Sequence, residues 1–307
     1  MSAESTPPST PAPEPLKGLP PVHAPSGRHI LQLFVIPGLI VAGAVTILLG
    51  FSWLAGGSRT PEQFLKNIED ANQDIRWRAA NDLAQVLKRD DQLAANVSFA
   101  LRVAELFQKA LEELERHERD LAALSPETSA KEHAEAKKKL IAQRNYVQYL
   151  SACLGNFSVP VGAPLLIDVA RNGRGSELLL RTLVRRQAVW ALANLGENQK
   201  RYQKLSDDQK AAIRQQLREE ADAARGDRSS WAQAVLAWLE QARPLGVIAA
   251  LVHCSKEDRD IFLREQAAHA LIFWEGDADE KKLAEQALLE LTRDTGRGER
   301  ITIEEKE

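Results

Sequence analysis

Arg76, Arg144, Arg185, Arg228 and Arg264 each head the same run of spacings. Three, six, seven and ten residues beyond them stand Ala79, Asp82, Leu83 and Val86, then Val147, Leu150, Ser151 and Leu154, then Ala188, Ala191, Leu192 and Leu195. The series continues with Trp231, Ala234, Val235 and Trp238 and ends with Ala267, Ala270, Leu271 and Trp274. Of these 20 positions 18 are apolar, the exceptions being Asp82 and Ser151. Apolar residues at i, i+3, i+4 and i+7 share one face of an α-helix. Each arginine is therefore expected to open a helix with a buried stripe, and the alanines let neighbouring helices approach closely. The arginines are 68, 41, 43 and 36 residues apart. A period near 40 leaves room for a partner helix in each unit.

Partner helices are expected over Gln63–Asp70, Pro164–Arg171, Gln209–Ala223 and Pro244–His253, with a final helix over Glu280–Arg293. Thr60-Pro61-Glu62-Gln63 and Ser206-Asp207-Asp208-Gln209 both read as capping boxes, the first with proline at the first helical position. Period-two alternation is scarce, so the body is expected to be all-α. Between Glu105 and Arg144, 17 of 40 residues are charged. Phe107, Leu111, Leu114, Leu121 and Leu124 leave a narrow apolar seam, Ser125-Pro126 breaks and restarts the helix, and Leu140, Ile141, Val147 and Leu150 return along it. The expectation is a helical hairpin that extends one unit or lengthens its two helices.

Ahead of the body the composition changes twice. Eight of the 14 prolines lie in the first 25 residues, so 1–29 reads as a leader with almost nothing to bury. From Ile30 to Ala55 no residue is charged. As a helix this stretch would be about 39 Å long, against a hydrocarbon core of about 30 Å. It reads as one uncleaved transmembrane helix, tolerant of Pro37. Lys17 and Arg28 before the span nearly balance Arg59 and Lys66 after it, so orientation stays open. Residues 58–295 form the helical body and 296–307 a tail.

At this point the chain resembles a known family. Asp74-Ile75-Arg76-Trp77-Arg78-Ala79-Ala80, Leu263-Arg264-Glu265-Gln266-Ala267-Ala268-His269-Ala270-Leu271 and Arg185 to Gly196 are similar to the second helix of a HEAT repeat. The whole arrangement looks like bacterial membrane-anchored HEAT-repeat proteins, which places it in a bacterial inner membrane. The resemblance implies an α-solenoid of about five irregular helix pairs, arginine–acid ties between repeats, and a surface for binding proteins. It supplies no catalytic residue.

Other chemistry is sparse. The formal charge is −3, which argues against a general nucleic-acid binder. The six histidines are scattered, no HExxH or Gly-rich phosphate loop occurs, and two cysteines cannot build a zinc site unaided. No catalytic, cofactor-binding or metal residue is assigned, and no cofactor or small-molecule substrate is expected. Arg181, Arg185 and Arg186 near Trp190 are compatible with a DNA-gripping solenoid, but Trp231, Trp238 and Trp274 fall on the core stripe. A candidate partner surface comprises Lys137, Lys138, Lys139, Arg181 and Arg186. The functional expectation is a membrane-tethered scaffold or adaptor for protein partners, with an enzyme of unknown reaction and a nucleic-acid binder as its rivals.

One consequence can be measured directly. A chain lacking residues 1–57 is expected to be soluble and strongly helical by circular dichroism; an insoluble or β-rich product contradicts the segment reading.

Overall fold

The computed structural model describes residues 27–55, 60–173, 178–223, 226–241 and 245–293. The leader lies outside the described residues except for 27–29, and the tail 296–307 lies wholly outside them. The chain divides into two units, Met1–Arg59 and Thr60–Glu307. Among the described residues there are thirteen α-helices, one 3-10 turn and no strand. The protein is all-α.

In the first unit α1 (Gly27–Ala55) is a continuous helix with Pro37 inside it. Its described side chains, residues 34–48, are all exposed, Phe34 at 71% and Leu48 at 69%. Thr46 donates to the carbonyl of Ala42 at 2.7 Å, so its hydroxyl is satisfied within the helix. Among the described residues no helix is long and apolar enough to cross a membrane. The outer parts of the expected 30–55 span lie outside the residues whose side chains are described.

The second unit begins with α2 (Pro61–Ile68), α3 (Gln73–Leu87), α4 (Asp91–Ala94) and α5 (Val97–Ala122). It continues through α6 (Ala130–Asn156), α7 (Ala163–Asn172), α8 (Leu178–Gln203) and α9 (Asp207–Ala223). It ends with α10 (Asp227–Gln241), α11 (Val247–Glu257), α12 (Ile261–Ala270), a 3-10 turn at Leu271–Phe273, and α13 (Ala278–Thr292).

Local chemistry sets most of these starts. The Ser206 box forms: Gln209 N–H donates to Ser206 Oγ at 3.2 Å and Ser206 N–H to Gln209 Oε1 at 2.9 Å. Ser129–Glu132 and Asp277–Glu280 are further boxes that the residue pattern alone did not single out. Thr60 takes the N-cap of α2 with Pro61 at the first position, but its side chain makes no cap bond, a correction to the expected box. The helix broken at Ser125-Pro126 resumes only at Ala130, because Ser129 and Glu132 provide the stronger start. The helix expected from Pro244 begins at Val247.

Four helices form the centre of the unit. α3 packs on α6, α6 on α8, and α8 on α12. All four run the same way, as their contacts show. Cys153 Sγ donates to the carbonyl of Ala80 (3.2 Å) and Asn156 Nδ2 to that of Ala84 (3.0 Å). Ser151 Oγ donates to Gln187 O (3.3 Å), Asn198 Nδ2 to Gly155 O (2.9 Å) and Trp274 Nε1 to Leu192 O (2.8 Å). α5, α7 and α11 carry the chain back, packing on α6, α8 and α12 respectively, and α13 packs on α11.

Three expectations change here. The arginine order put α10 between α8 and α12, yet α8 meets α12 directly. α9 and α10 instead pack on each other, and α10 touches α5 and α7. Arg144 opens no helix: α6 begins fourteen residues before it, since the charged 105–144 insertion lengthens α5 and α6 and carries the helix start back to Ala130. The stripe holds in α6 and α8, where all eight positions are buried, Ser151 included. In α3 it is displaced by one residue: Ala80, Leu83, Ala84 and Leu87 are buried and Asp82 is exposed. That helix is rotated so that the carbonyls of Ala80 and Ala84 face α6.

The row depends on absent side chains. A Cβ on Gly155 would stand 2.8 Å from the carbonyl oxygen and 3.0 Å from the Cα of Ala191, so α6 and α8 touch backbone to backbone. A Cβ on Gly196 would meet the Trp274 ring at 2.7 Å. Alanine raises intrinsic helix stability by about 1 kcal/mol over glycine, while overpacking a core costs about 1–3 kcal/mol. At Gly155 the obstructing atoms are backbone and cannot swing aside, so the second effect wins. Gly155→Ala is expected to destabilise the fold by up to about 2 kcal/mol net, read as a lower urea midpoint.

Candidate functional site

The repeat arginines have structural partners. Orphan carbonyls at a helix C-terminus need donors, and Arg185 Nε supplies one to Ala170 O at the end of α7 (2.8 Å). Arg264 Nε does the same for Ser255 O at the end of α11 (3.1 Å). Ala170 and Ser255 are each the third residue from the end of their helix, so the two pairs are built alike. In α9 the corresponding residue is Ala221, and Ser229 Oγ bonds its carbonyl at 2.6 Å. The neighbouring Arg228 pairs with Glu220 (2.6 Å) and donates to Ser98 of α5 (3.1 Å). Arg76 reaches Glu113 (3.3 Å) and Gln143 (2.9 Å), with its guanidinium over the Tyr146 ring. Arg144 is half-buried within α6.

The residues expected to form one partner surface fall in different places. Lys137, Lys138 and Lys139 are exposed on the distal part of α6. Lys139 borders a shallow hollow with His117, Asp120, Glu132, Glu135 and Ala136. Arg181 is exposed on α8. Arg186 is the one that lines a larger groove of 430 Å³ on the face of the α3–α6–α8–α12 row.

That groove is made from positions beside the buried stripe. α3 contributes Asn81, Ala84, Gln85 and Lys88, and α6 contributes Gln148, Tyr149, Ala152 and Asn156. α8 contributes Leu183, Arg186, Gln187 and Trp190, and α12 Phe262 and Gln266. Trp190 is 37% exposed and Phe262 43%. Trp77 stacks behind Tyr149 with ring centroids 5.9 Å apart. Arg186 holds Asp260 through two bonds of 2.7 and 2.8 Å while its guanidinium lies over Phe262. This fork fixes the start of α12 against α8, since Asp260 also caps Phe262 N–H.

The polar groups of the groove are mostly uncommitted. Asn156 is bonded inward, but the side chains of Asn81, Gln85, Gln148, Gln187 and Gln266 have no hydrogen-bond partner among the described residues. Glutamines elsewhere do bond, as Gln143 to Ala110 O and Gln108 to Asp227. No carboxylate lines the groove. Sequence reading missed these amides, although Gln187 and Gln266 both stand two residues after a repeat arginine.

Neither cysteine offers a nucleophile. Burial pushes the thiols of Cys153 and Cys254 upward from their ordinary value, whereas reactive cysteines need a lowered one. Among the described residues no group of three His, Cys, Asp or Glu side chains could hold a metal. No family model, curated protein or solved structure matches this chain.

The Arg186–Asp260 pair is nearly enclosed, with side-chain exposures of 14% and 2%. Arg186→Ala strands a buried carboxylate and is expected to cost about 3–5 kcal/mol in chemical denaturation. Adding Asp260→Asn removes the charge while keeping a capping oxygen, and should recover a large part of that loss.

Proposed function

We propose that this protein is a membrane-tethered interaction scaffold, non-catalytic, whose body is a HEAT-like α-solenoid and whose binding face is the amide- and aromatic-lined groove. The groove carries the reading. Five side-chain amides without partners, each able to donate and accept, stand among three aromatic rings on one face of four packed helices. A surface that only needed solvation would not gather half-exposed tryptophan and phenylalanine there; aromatic residues in partly open pockets are typical anchors for a protein partner.

The solenoid assignment draws support from the parallel order of α3, α6, α8 and α12 and from the matched arginine contacts at Ala170 and Ser255. Repeated helix pairs that contact their neighbours expose extended faces suited to binding. For the tether, the support is an uncharged 26-residue stretch in a helix whose described apolar side chains are all exposed. Such a helix needs an apolar surrounding, which a bilayer provides. Holding the groove at a membrane raises its effective concentration for partners there.

Photocrosslinking in the native membrane tests both parts. With a photoreactive residue at Gln187, a discrete protein adduct is expected, lost when Trp190→Ala is added. A chain that partitions into the soluble fraction refutes the tether, and crosslinking insensitive to groove substitutions refutes the site.

A further inference from the structure

The groove has a period. α6 offers Gln148 and Tyr149, α8 offers Gln187 and Trp190, and α12 offers Gln266 and Phe262, so each helix supplies one unpaired amide and one aromatic ring. These helices are successive members of one parallel row. Packed helices lie about 8–10 Å apart. The ligand backbone that matches is one that repeats its presentation over that distance. A polyproline II helix has three residues per turn and rises about 3.1 Å per residue, or about 9.3 Å per turn. An extended β-strand repeats every two residues, about 6.6 Å, and falls out of step by the second helix.

The chemistry agrees with the spacing. A polyproline II segment makes no internal hydrogen bonds, so its carbonyls are free to accept from glutamine Nε2 groups. Its pyrrolidine rings are flat apolar bodies that pack on aromatic faces, the usual mode by which such segments dock. Charge selects further. The lining holds no carboxylate; Arg186 is committed to Asp260, and Lys88 makes no ion pair among the described residues. An acidic residue at the α3 end of the ligand would be complementary, and a basic one would not.

We propose that the groove across α3, α6, α8 and α12 takes a proline-rich segment of a partner protein in the polyproline II conformation, with an acidic residue placed over Lys88. This rests on the groove being the partner surface and specifies which partner it fits. The arrangement in which α6, α8 and α12 each meet one turn of the ligand makes backbone conformation, rather than a side-chain sequence, the main thing recognised, with α3 adding the charge of Lys88.

The test is fluorescence anisotropy of the full chain in detergent micelles, with a labelled oligoproline peptide ending in two glutamates as the probe. Saturable binding is expected, with a glycine–serine peptide of equal length and terminal charge at least about tenfold weaker. Trp190→Ala should weaken the oligoproline complex by about tenfold. Gln187→Ala, at a half-buried position that packing does not require, should weaken it by a smaller factor with an unchanged circular dichroism spectrum. Lys88→Glu should weaken the glutamate-tipped peptide and leave plain oligoproline unaffected. Equal affinity for the two backbones, no binding of oligoproline, or binding indifferent to both groove variants overturns the proposal. None of these bears on partner capture at Gln187 in the membrane, so the general reading of the groove stands or falls separately.

Discussion

The close parallel contact of α3, α6, α8 and α12 is the constraint on which the rest depends. Gly155 against the backbone of Ala191 and Gly196 against the ring of Trp274 leave no room for a larger residue, so α6 and α8 meet backbone to backbone and Trp274 seats directly on α8. At that distance short side chains reach the carbonyls of the next helix. Cys153, Ser151, Asn156, Asn198 and Trp274 all donate to backbone carbonyls of a neighbouring row helix, and at Gly155, next to the end of α6, the acceptor is one that the helix leaves free. Parallel order goes with chain connectivity: α5, α7 and α11 each bring the chain back before the next row helix, with α9 and α10 inserted ahead of α11. The returning helices α5, α7 and α11 cover one face of the row, and the groove lies where they do not.

The arginine contacts explain why some units look alike and one does not. Arg185 and Arg264 close the C-termini of α7 and α11 at equivalent carbonyls, which holds each return helix against its row helix. The α9–α10 pair keeps the carbonyl contact through Ser229 but turns Arg228 outward to Glu220, Ser98 and Glu105. Those partners belong partly to α5. The same arginine type at the same sequence phase therefore ties this pair to α5 instead of adding it to the row. A local pattern says that a helix will bury a stripe; it does not say against which neighbour.

This also marks how far the residues could be read. Helices came through where capping chemistry and periodicity agreed, as at Ser206, and the stripe of α8 is buried as its spacing required. The hidden starts at Ser129 and Asp277 were present as capping boxes but were screened by the dense charge around them. Spacing from Arg76 puts Asp82 on the stripe of α3, yet that stripe lies one residue further on. Its helix must aim the carbonyls of Ala80 and Ala84 at Cys153 and Asn156, which lie more than seventy residues away in the chain. The groove was harder still, since Asn81, Gln85, Gln148, Gln187 and Gln266 read singly as ordinary surface amides. Only assembly makes them a set.

From sequence alone came the all-α class, the separation of a proline-rich leader and an uncharged stretch from the helical body, and the small-residue faces along which helices would meet. These are properties of short windows, governed by backbone propensity, capping and the burial of apolar side chains at helical spacing. Tertiary structure decided the order of the row, the removal of α9 and α10 from it, and the gathering of unpaired amides and aromatic rings on one exposed face. Those depend on contacts between residues far apart in the chain, where close approach at two glycines, to the Ala191 backbone and to the Trp274 ring, selects one neighbour over another. No local window carries that choice.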